Sequence, residues 1–323
     1  MTKNSQANLY EVTPYIFSRP LTHELGKDVF LKLETFQPSG SFKNRALGYL
    51  AQHLIQTAQT PFKGFVTFSG GNAGLALAYT GHALGYPVKV IVPETCALET
   101  IERLRAQPGT EVQVFGENVY TAEKAARELA LTGEWCYVSP FDHPALWEGN
   151  STLIKEIATQ NNFTKPGAIV CSVGGGGLLG GILLGLRSQG WSDVPVLAVE
   201  TTGAACFHAS MLANKPVVID KIDTIAGTLG SRYIATGVWD LVVNHPGKVT
   251  SHVVTDAEAL IACKRFLNDH NMLVEPSCGA SLAIVYRREQ RLLELDGPIT
   301  VIACGGKAVS VELLDKWSQL LGV

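Results

Sequence analysis

Pro38-Ser39-Gly40-Ser41-Phe42-Lys43-Asn44-Arg45 is the stretch on which the reading of this chain turns. The residues before it, 29–33, have the composition of a strand, and those after it, 46–56, carry helical periodicity. The octapeptide therefore joins a strand to a helix and places one lysine at the helix entrance. A cation there is opposed by the positive end of the helix dipole. That opposition, and any burial, lowers the pKa of the amine and leaves more of it as free base, the form that attacks a carbonyl. Taken alone, the octapeptide reads more simply as an exposed first turn, because most lysines lie at the surface. The rest of the chain shifts that balance.

Downstream, strands are expected over 64–68, 87–92, 111–115 and 135–138, with helices over 72–84, 98–106 and 121–131 between them. This alternation predicts a parallel sheet with crossover helices. Residues 143–147 read as a loop that marks the edge of a first lobe. The pattern resumes with a helix over 151–159, a strand over 168–173, a helix over 178–188 and a strand over 194–199 that ends at Glu200. Residues 202–247 resolve only into short helices and turns. A strand over 249–254 precedes Thr255-Asp256-Ala257-Glu258, a capped helix entry. A helix over 276–293 carries proline at an early position, a strand over 299–303 follows, and a last helix ends near 320. Residues 1–28 read as irregular, broken by Pro14 and Pro20. The expected fold is α/β, two lobes of parallel sheet with a cleft between them.

Three glycine turns follow strands. Ser69-Gly70-Gly71-Asn72-Ala73-Gly74 opens a helix, where close backbone approach and exposed N–H groups suit a carboxylate. An ordinary turn capped by Ser or Asn explains it equally well. Gly174-Gly175-Gly176-Gly177 costs chain entropy and implies a ligand for the backbone to wrap, a phosphate being the natural one. Tight packing alone rarely needs four. Gly175, Gly177 and Gly180 also satisfy G-x-G-x-x-G, with Glu200 near the acidic position of a dinucleotide fold, so an NAD-dependent oxidoreductase is the rival class. That reading leaves the lysine stretch unexplained. Cys304-Gly305-Gly306-Lys307 is not a Walker loop, because Val301 stands at the first glycine position and Ala308 replaces Ser/Thr. Gly40 rules out S-x-x-K around Lys43, and neither G-x-S-x-G nor H-E-x-x-H occurs.

Composition sets bounds on function. The 323 residues allow a large core, and 46% hydrophobic with 17% charged residues is a soluble globular balance. Net charge is −3 with no basic block, which argues against nucleic acid and anionic membranes as partners. No apolar run is long enough to span a bilayer, and the start lacks a secretory pattern, so a cytoplasmic location is expected. Seven scattered cysteines without C-x-x-C suggest neither zinc nor an iron–sulfur cluster.

Taken in order, P-S-G-S-F-K at 38–43, S-G-G-N-A-G at 69–74, G-G-G-G at 174–177 and C-G-G at 304–306 resemble the fold-type II pyridoxal-phosphate enzymes. TIERL at 100–104, PFDHPALWEG at 140–149, KPGAI at 165–169 and VEPSCGASLA at 274–283 resemble the catabolic L-serine/L-threonine dehydratases in particular. The resemblance implies a two-lobed fold like that of tryptophan synthase β, with a large cofactor-binding domain over 1–40 and 144–323 and a small domain over 41–143. It implies that Lys43 bonds covalently to pyridoxal phosphate, that Phe42 lies against the ring, that Asn72 meets the 3′-oxygen, and that Gly174, Gly175, Gly176 and Gly177 hold the phosphate. Ser39, Ser69, Gly70, Asn72 and Ala73 match the substrate-carboxylate loop, and Cys304 matches the residue facing the ring nitrogen. A neutral thiol there makes the ring a weaker electron sink than an aspartate would, which suits α,β-elimination. The implied reaction converts L-serine to pyruvate and ammonia, and L-threonine to 2-oxobutanoate and ammonia, with Lys43 and Ser69 as catalytic candidates.

The resemblance also implies a monovalent cation, K+, at Gly174, Glu200, Ala204, Cys206 and Leu229, and a homodimer. Two positions depart from the pattern: Cys206 stands where a hydroxyl residue is expected, and Thr228 where many relatives have Gly or Ala. A serine racemase or β-replacement enzyme shares the first steps of elimination, and an amino-acid-binding module without turnover is a further reading.

Overall fold

The computed structural model describes residues 9–323, so the irregular start expected over 1–8 lies outside the described residues. Strand β1 (Tyr15–Phe17) and helix α1 (Arg19–Leu25) lead to β2 (Val29–Leu33), a 3-10 turn (Glu34–Phe36) and α2 (Lys43–Thr57). Next come β3 (Gly64–Thr67), α3 (Asn72–Leu84), β4 (Val88–Val92), α4 (Leu98–Arg105), β5 (Thr110–Val114), α5 (Val119–Ala130) and β6 (Trp135–Tyr137). The chain continues through α6 (Pro144–Gln160), β7 (Ala168–Ser172), α7 (Gly177–Ser188), β8 (Val196–Thr201), α8 (Cys206–Ala213), α9 (Thr236–Val243) and β9 (Val249–Val254). Helices α10 (Asp256–His270), α11 (Pro276–Tyr286) and α12 (Gln290–Glu294), strand β10 (Ile299–Ala303) and helix α13 (Val311–Leu321) complete it.

The strands form the two sheets of the expected α/β fold. One runs in the order β1-β2-β10-β7-β8-β9 and the other β5-β4-β3-β6. Every neighbouring pair is parallel except β1 with β2. Crossover helices cover both faces of a parallel sheet, and β7 and β10 are accordingly apolar and buried along their length. Strand β10 enters between β2 and β7, so that Val301 pairs with Leu31 on one side and Val170 on the other. The C-terminal ends of β2, β10, β7 and β8 therefore share one edge of the larger sheet. Ligands of open parallel sheets bind at such an edge, where the strand order reverses.

Several expected boundaries are corrected. The stretch 143–147 is not a loop: Pro144 occupies the first turn of α6, and the His143 side chain caps it by accepting from the Ala145 amide at 3.1 Å. Proline is tolerated there because that N–H has no helical partner. The same logic hides α1 in the segment read as irregular, where Ser18 caps the helix and Pro20 sits in its first turn. Helix 276–293 is interrupted after Tyr286, where Arg288 adopts φ 54°, and resumes as α12. Helix α2 begins at Lys43 rather than at 46, and β8 runs through Glu200 to Thr201.

Behind the octapeptide lies a buried ionic cluster. Arg45, fully buried, pairs through Nε with Glu34 at 2.7 Å and through Nη1 with Glu156 at 2.6 Å. Lys32 Nζ reaches Glu156 at 2.6 Å, and the Thr13 hydroxyl donates to Glu34 at 2.7 Å. Burial pushes the Glu34 carboxyl up, but Arg45, with Thr13 and Lys32, outweighs it and holds the group below its ordinary value. The cluster ties the N-terminal segment, β2, α2 and α6 together directly behind the octapeptide. Removing one member of a buried set strands its partners in low dielectric. Arg45→Met is expected to lower the unfolding free energy by about 3–5 kcal/mol. Chemical denaturation followed by circular dichroism checks this, and a loss below roughly 1 kcal/mol would show the cluster to be dispensable.

Candidate active site

The octapeptide is held by the end of β10. Phe42 N donates to Cys304 O at 3.2 Å, Gly306 N donates to Gly40 O at 2.8 Å, and Ser41 forms a bridge with Gly305. Within the turn, Gly40 takes φ 81°, and Ser39 N donates to Asn44 Oδ1 at 2.7 Å. This stitching presents Lys43 at the first position of α2. Its amine donates to the Pro140 carbonyl at 2.5 Å and lies 5.2 Å from the centre of the Phe42 ring. Burial lowers the ammonium to about 8, with Cys304 opposing in part. The free amine is therefore accessible near neutral pH, and burial is the main cause.

Cys304 is buried beside Lys43. A hydrogen bond with the Cys278 thiol, burial and the nearby charge of Glu275 hold its thiol well above the ordinary range. It is a neutral, weakly polar group at any physiological pH.

The tetraglycine links β7 to α7. A Cβ at Gly174 would stand 2.9 Å from the Leu229 carbonyl oxygen, at Gly175 2.3 Å from the Phe141 ring, and at Gly177 3.0 Å from Leu146, while Gly176 has φ 92°. Packing, which the sequence suggested would not suffice, thus gives each of the four glycines a reason. The same closeness leaves a loop of bare backbone at the start of α7, whose first-turn amides have no helical acceptor.

Gly71, not Ser69 or Asn72, precedes α3, and no side chain caps that helix. Ser69, Gly70 and Gly71 are half-buried, whereas Asn72 and Ala73 are buried. The Asn72 amide is anchored at both ends: Nδ2 donates to Glu275 Oε1 at 2.7 Å, and Oδ1 accepts from Lys307 N at 3.2 Å. The Thr228 hydroxyl also donates to Glu275 and pairs with Ser277 at 2.5 Å. Sequence reasoning did not single out Glu275. Its signal was a Glu-Pro pair at a helix entrance, ordinary by itself. Nor did it foresee the Pro140 carbonyl as the partner of Lys43.

Glu200 is fully buried inside β8, and its two oxygens accept from Phe207 N at 2.8 Å and His208 N at 2.7 Å, closing the start of α8. Burial nevertheless pushes its carboxyl up to about 7. A ribose acceptor needs a free carboxylate at the cleft, so the dinucleotide reading of Glu200 with Gly175, Gly177 and Gly180 does not hold. Cys206 Sγ reaches Gly174 O at 3.7 Å, which brings Cys206, Glu200, Gly174 and Leu229 into one neighbourhood, with Ala204 buried in the preceding turn.

A half-buried lysine amine, a glycine loop of free amides and a neutral thiol meet at one sheet edge. That combination defines a site for an aldehyde cofactor bearing an anionic group. Among the described residues, Ser39 Oγ, Ser41 Oγ, Asn44 Nδ2 and Ser172 Oγ are buried without a protein partner, as a polar ligand at this edge requires. A profile of the family described as "Pyridoxal-phosphate dependent enzyme" matches residues 7–305, and the chain belongs to that family. Its relatives include the "L-serine dehydratase/L-threonine deaminase" of Mus musculus, 42% identical over 99% of this chain and 98% of that protein. The "Serine dehydratase-like" protein of Rattus norvegicus is 42% identical over 95% of this chain and 93% of its own length. Among solved structures, a fungal L-serine ammonia-lyase from Rhizomucor miehei superposes with a TM-score of 0.90 at 36% identity, covering 97% of this chain and 99% of that one. Maize serine racemase shares the fold, with a TM-score of 0.85 at 23% identity over 97% of this chain and 93% of that one.

Gly175→Ala forces its new methyl into Phe141. Apoprotein carrying it is expected to bind pyridoxal phosphate about tenfold more weakly, matching the 1–3 kcal/mol that overpacking costs. Fluorescence titration measures this, and adding Phe141→Ala should restore part of the affinity.

Proposed function

We propose that this chain catalyses α,β-elimination from L-serine and L-threonine, releasing ammonia with pyruvate or 2-oxobutanoate. The observation that carries the reading is the pairing of Lys43, whose amine is lowered to about 8, with the neutral thiol of Cys304 in a member of the pyridoxal-phosphate family. The names of its full-length relatives point to the same substrates. When bound, pyridoxal phosphate withdraws electrons from the amino acid and makes its α-hydrogen acidic.

The chain's own residues divide the remaining work. Lys43 anchors the cofactor and, once released by the substrate's amine, takes the α-proton, a task suited to a group whose pKa lies near the working pH. The Pro140 carbonyl orients that amine. The backbone of Gly174, Gly175, Gly176 and Gly177 would hold the phosphate, and Phe42 would pack against the ring. Ser39, Ser69, Gly70, Asn72 and Ala73 hold the substrate carboxylate at the start of α3. Cys304, a neutral thiol, would meet the ring nitrogen without supplying charge, which would favour early loss of the β-hydroxyl.

A monovalent cation, K+, completes the reading at Gly174, Glu200, Ala204, Cys206 and Leu229. The burial of Glu200, only partly offset by the Phe207 and His208 amides, supports it, since a cation there would favour the ionised carboxyl. The separation of the sheets supports a small domain over 41–143 and a large one over 1–40 and 144–323. Within the described residues, no helix is long and apolar enough to cross a membrane. A cytoplasmic homodimer is the proposed working form.

Purified protein incubated with pyridoxal phosphate is expected to show a visible absorption band that changes on adding L-serine while 2-oxo acid accumulates. Lys43→Ala should lose the band and at least about 10³-fold in rate. Absence of the band in the wild type would overturn the reading. D-serine in place of 2-oxo acid would reassign the enzyme to racemisation.

A further inference from the structure

Glu275 is the buried carboxylate that the proposed chemistry leaves unused. It is 3% exposed and precedes α11, and among the described residues no Lys or Arg side chain pairs with it. Its contacts come from three separate parts of the chain. Oε1 accepts from Asn72 Nδ2 at 2.7 Å and from the Thr228 hydroxyl, and Oε2 accepts from Ala308 N at 3.3 Å. Gly306 must be glycine to let it in, because a Cβ there would stand 1.9 Å from the carboxyl carbon.

An ionised carboxylate only accepts hydrogen bonds, so it dictates which end of the Asn72 amide faces it. The nitrogen turns to Glu275, and Oδ1 takes the Lys307 amide at 3.2 Å. Asn72 is 7% exposed, and among the described residues its second N–H has no protein acceptor. With one N–H committed to Glu275 and the carbonyl oxygen turned toward Lys307 N, the second N–H is the donor the amide has left for a ligand.

We propose that Glu275 is a positioning residue which locks the Asn72 amide so that its remaining N–H is held for an anionic oxygen of the bound cofactor. The inference rests on the cofactor placement proposed above. It also assigns Thr228 a role: its hydroxyl bridges Glu275 and Ser277 and holds the carboxylate in place. Protonation of Glu275 removes a negative charge one amide away from the ligand, so the electronic state of the bound cofactor responds to it. Burial pushes this carboxyl up to about 7, although the hydrogen bonds from Thr228, Asn72 and Ala308 oppose the rise. The other ionisable groups that face it are Arg103 on α4, Cys263 on α10 and Cys304 after β10.

The test titrates apoprotein of wild type, Glu275→Gln and Glu275→Ala with pyridoxal phosphate, then follows the visible absorption of each holoprotein between about pH 5 and 9, which spans the ionisation. Glutamine still accepts the Asn72 N–H but carries no charge. Its variant should bind the cofactor within about threefold of wild type yet lose the spectral transition near pH 7. Alanine frees the amide and should weaken binding by about tenfold or more. Unchanged affinity in Glu275→Ala, or a retained transition in Glu275→Gln, overturns the proposal. Should Glu275→Ala not fold, the pH profile of Glu275→Gln decides alone. A wild-type band with unaffected variants defeats only this inference, whereas a wild type without the band defeats the cofactor placement as well.

Discussion

The insertion of β10 between β2 and β7 is the constraint on which the site depends. Those strands lie far apart in sequence, yet parallel pairing of Val301 with both Leu31 and Val170 brings their C-terminal ends together. The loops that follow carry the lysine, the thiol and the tetraglycine. Once the strands pair, the main-chain bonds Phe42 N to Cys304 O and Gly306 N to Gly40 O fix the octapeptide against the last strand. Backbone hydrogen bonding therefore sets the spacing between Lys43 and Cys304, which gives the site a rigid floor.

Burial is the common source of the site's electrostatics. Desolvation leads the causes for Lys43, lowered to about 8, and for Glu200 and Glu275, each raised to about 7. In all three cases low dielectric penalises the charged form. Arg45 and Glu34 form the counterexample a few residues away, where direct partners together outweigh the same penalty. The protein thus keeps a charged, fully paired cluster behind the octapeptide and ionisable groups with neutral-range pKa values in front of it. The first holds structure; the second changes protonation within the neutral pH range.

Close packing gives the tetraglycine a structural reason of its own. Phe141 and Leu229 crowd the loop so closely that a Cβ at Gly174 or Gly175 would clash, and Leu146 leaves one at Gly177 tightly packed. A loop without side chains is also one whose amides an anion can reach. Phe141 adjoins Pro140, whose carbonyl holds Lys43, so the segment that packs on the glycine loop also holds the amine.

Much of this was legible in the sequence. Strands 29–33, 249–254 and 299–303 and helix 72–84 match the observed bounds, because each is a clear periodic run between breakers. The capping box at Thr255 is present with both of its bonds. Helix α1 and the N-terminal turns of α6, ahead of the expected helix over 151–159, escaped notice because proline in a first turn looks, in sequence, like a break. The order of the strands escaped it too, because pairing between distant segments leaves no periodic trace. The sequence by itself determined which residue types could do the chemistry: one lysine at a strand-to-helix turn, three glycine turns and a cysteine after the last strand. Only the tertiary structure decided that Glu200 caps a helix, that Glu275 grips Asn72 and that burial moves the amine to about 8. Those outcomes depend on which side chains lose water together, and that is settled only when the two sheets and their helices close around them.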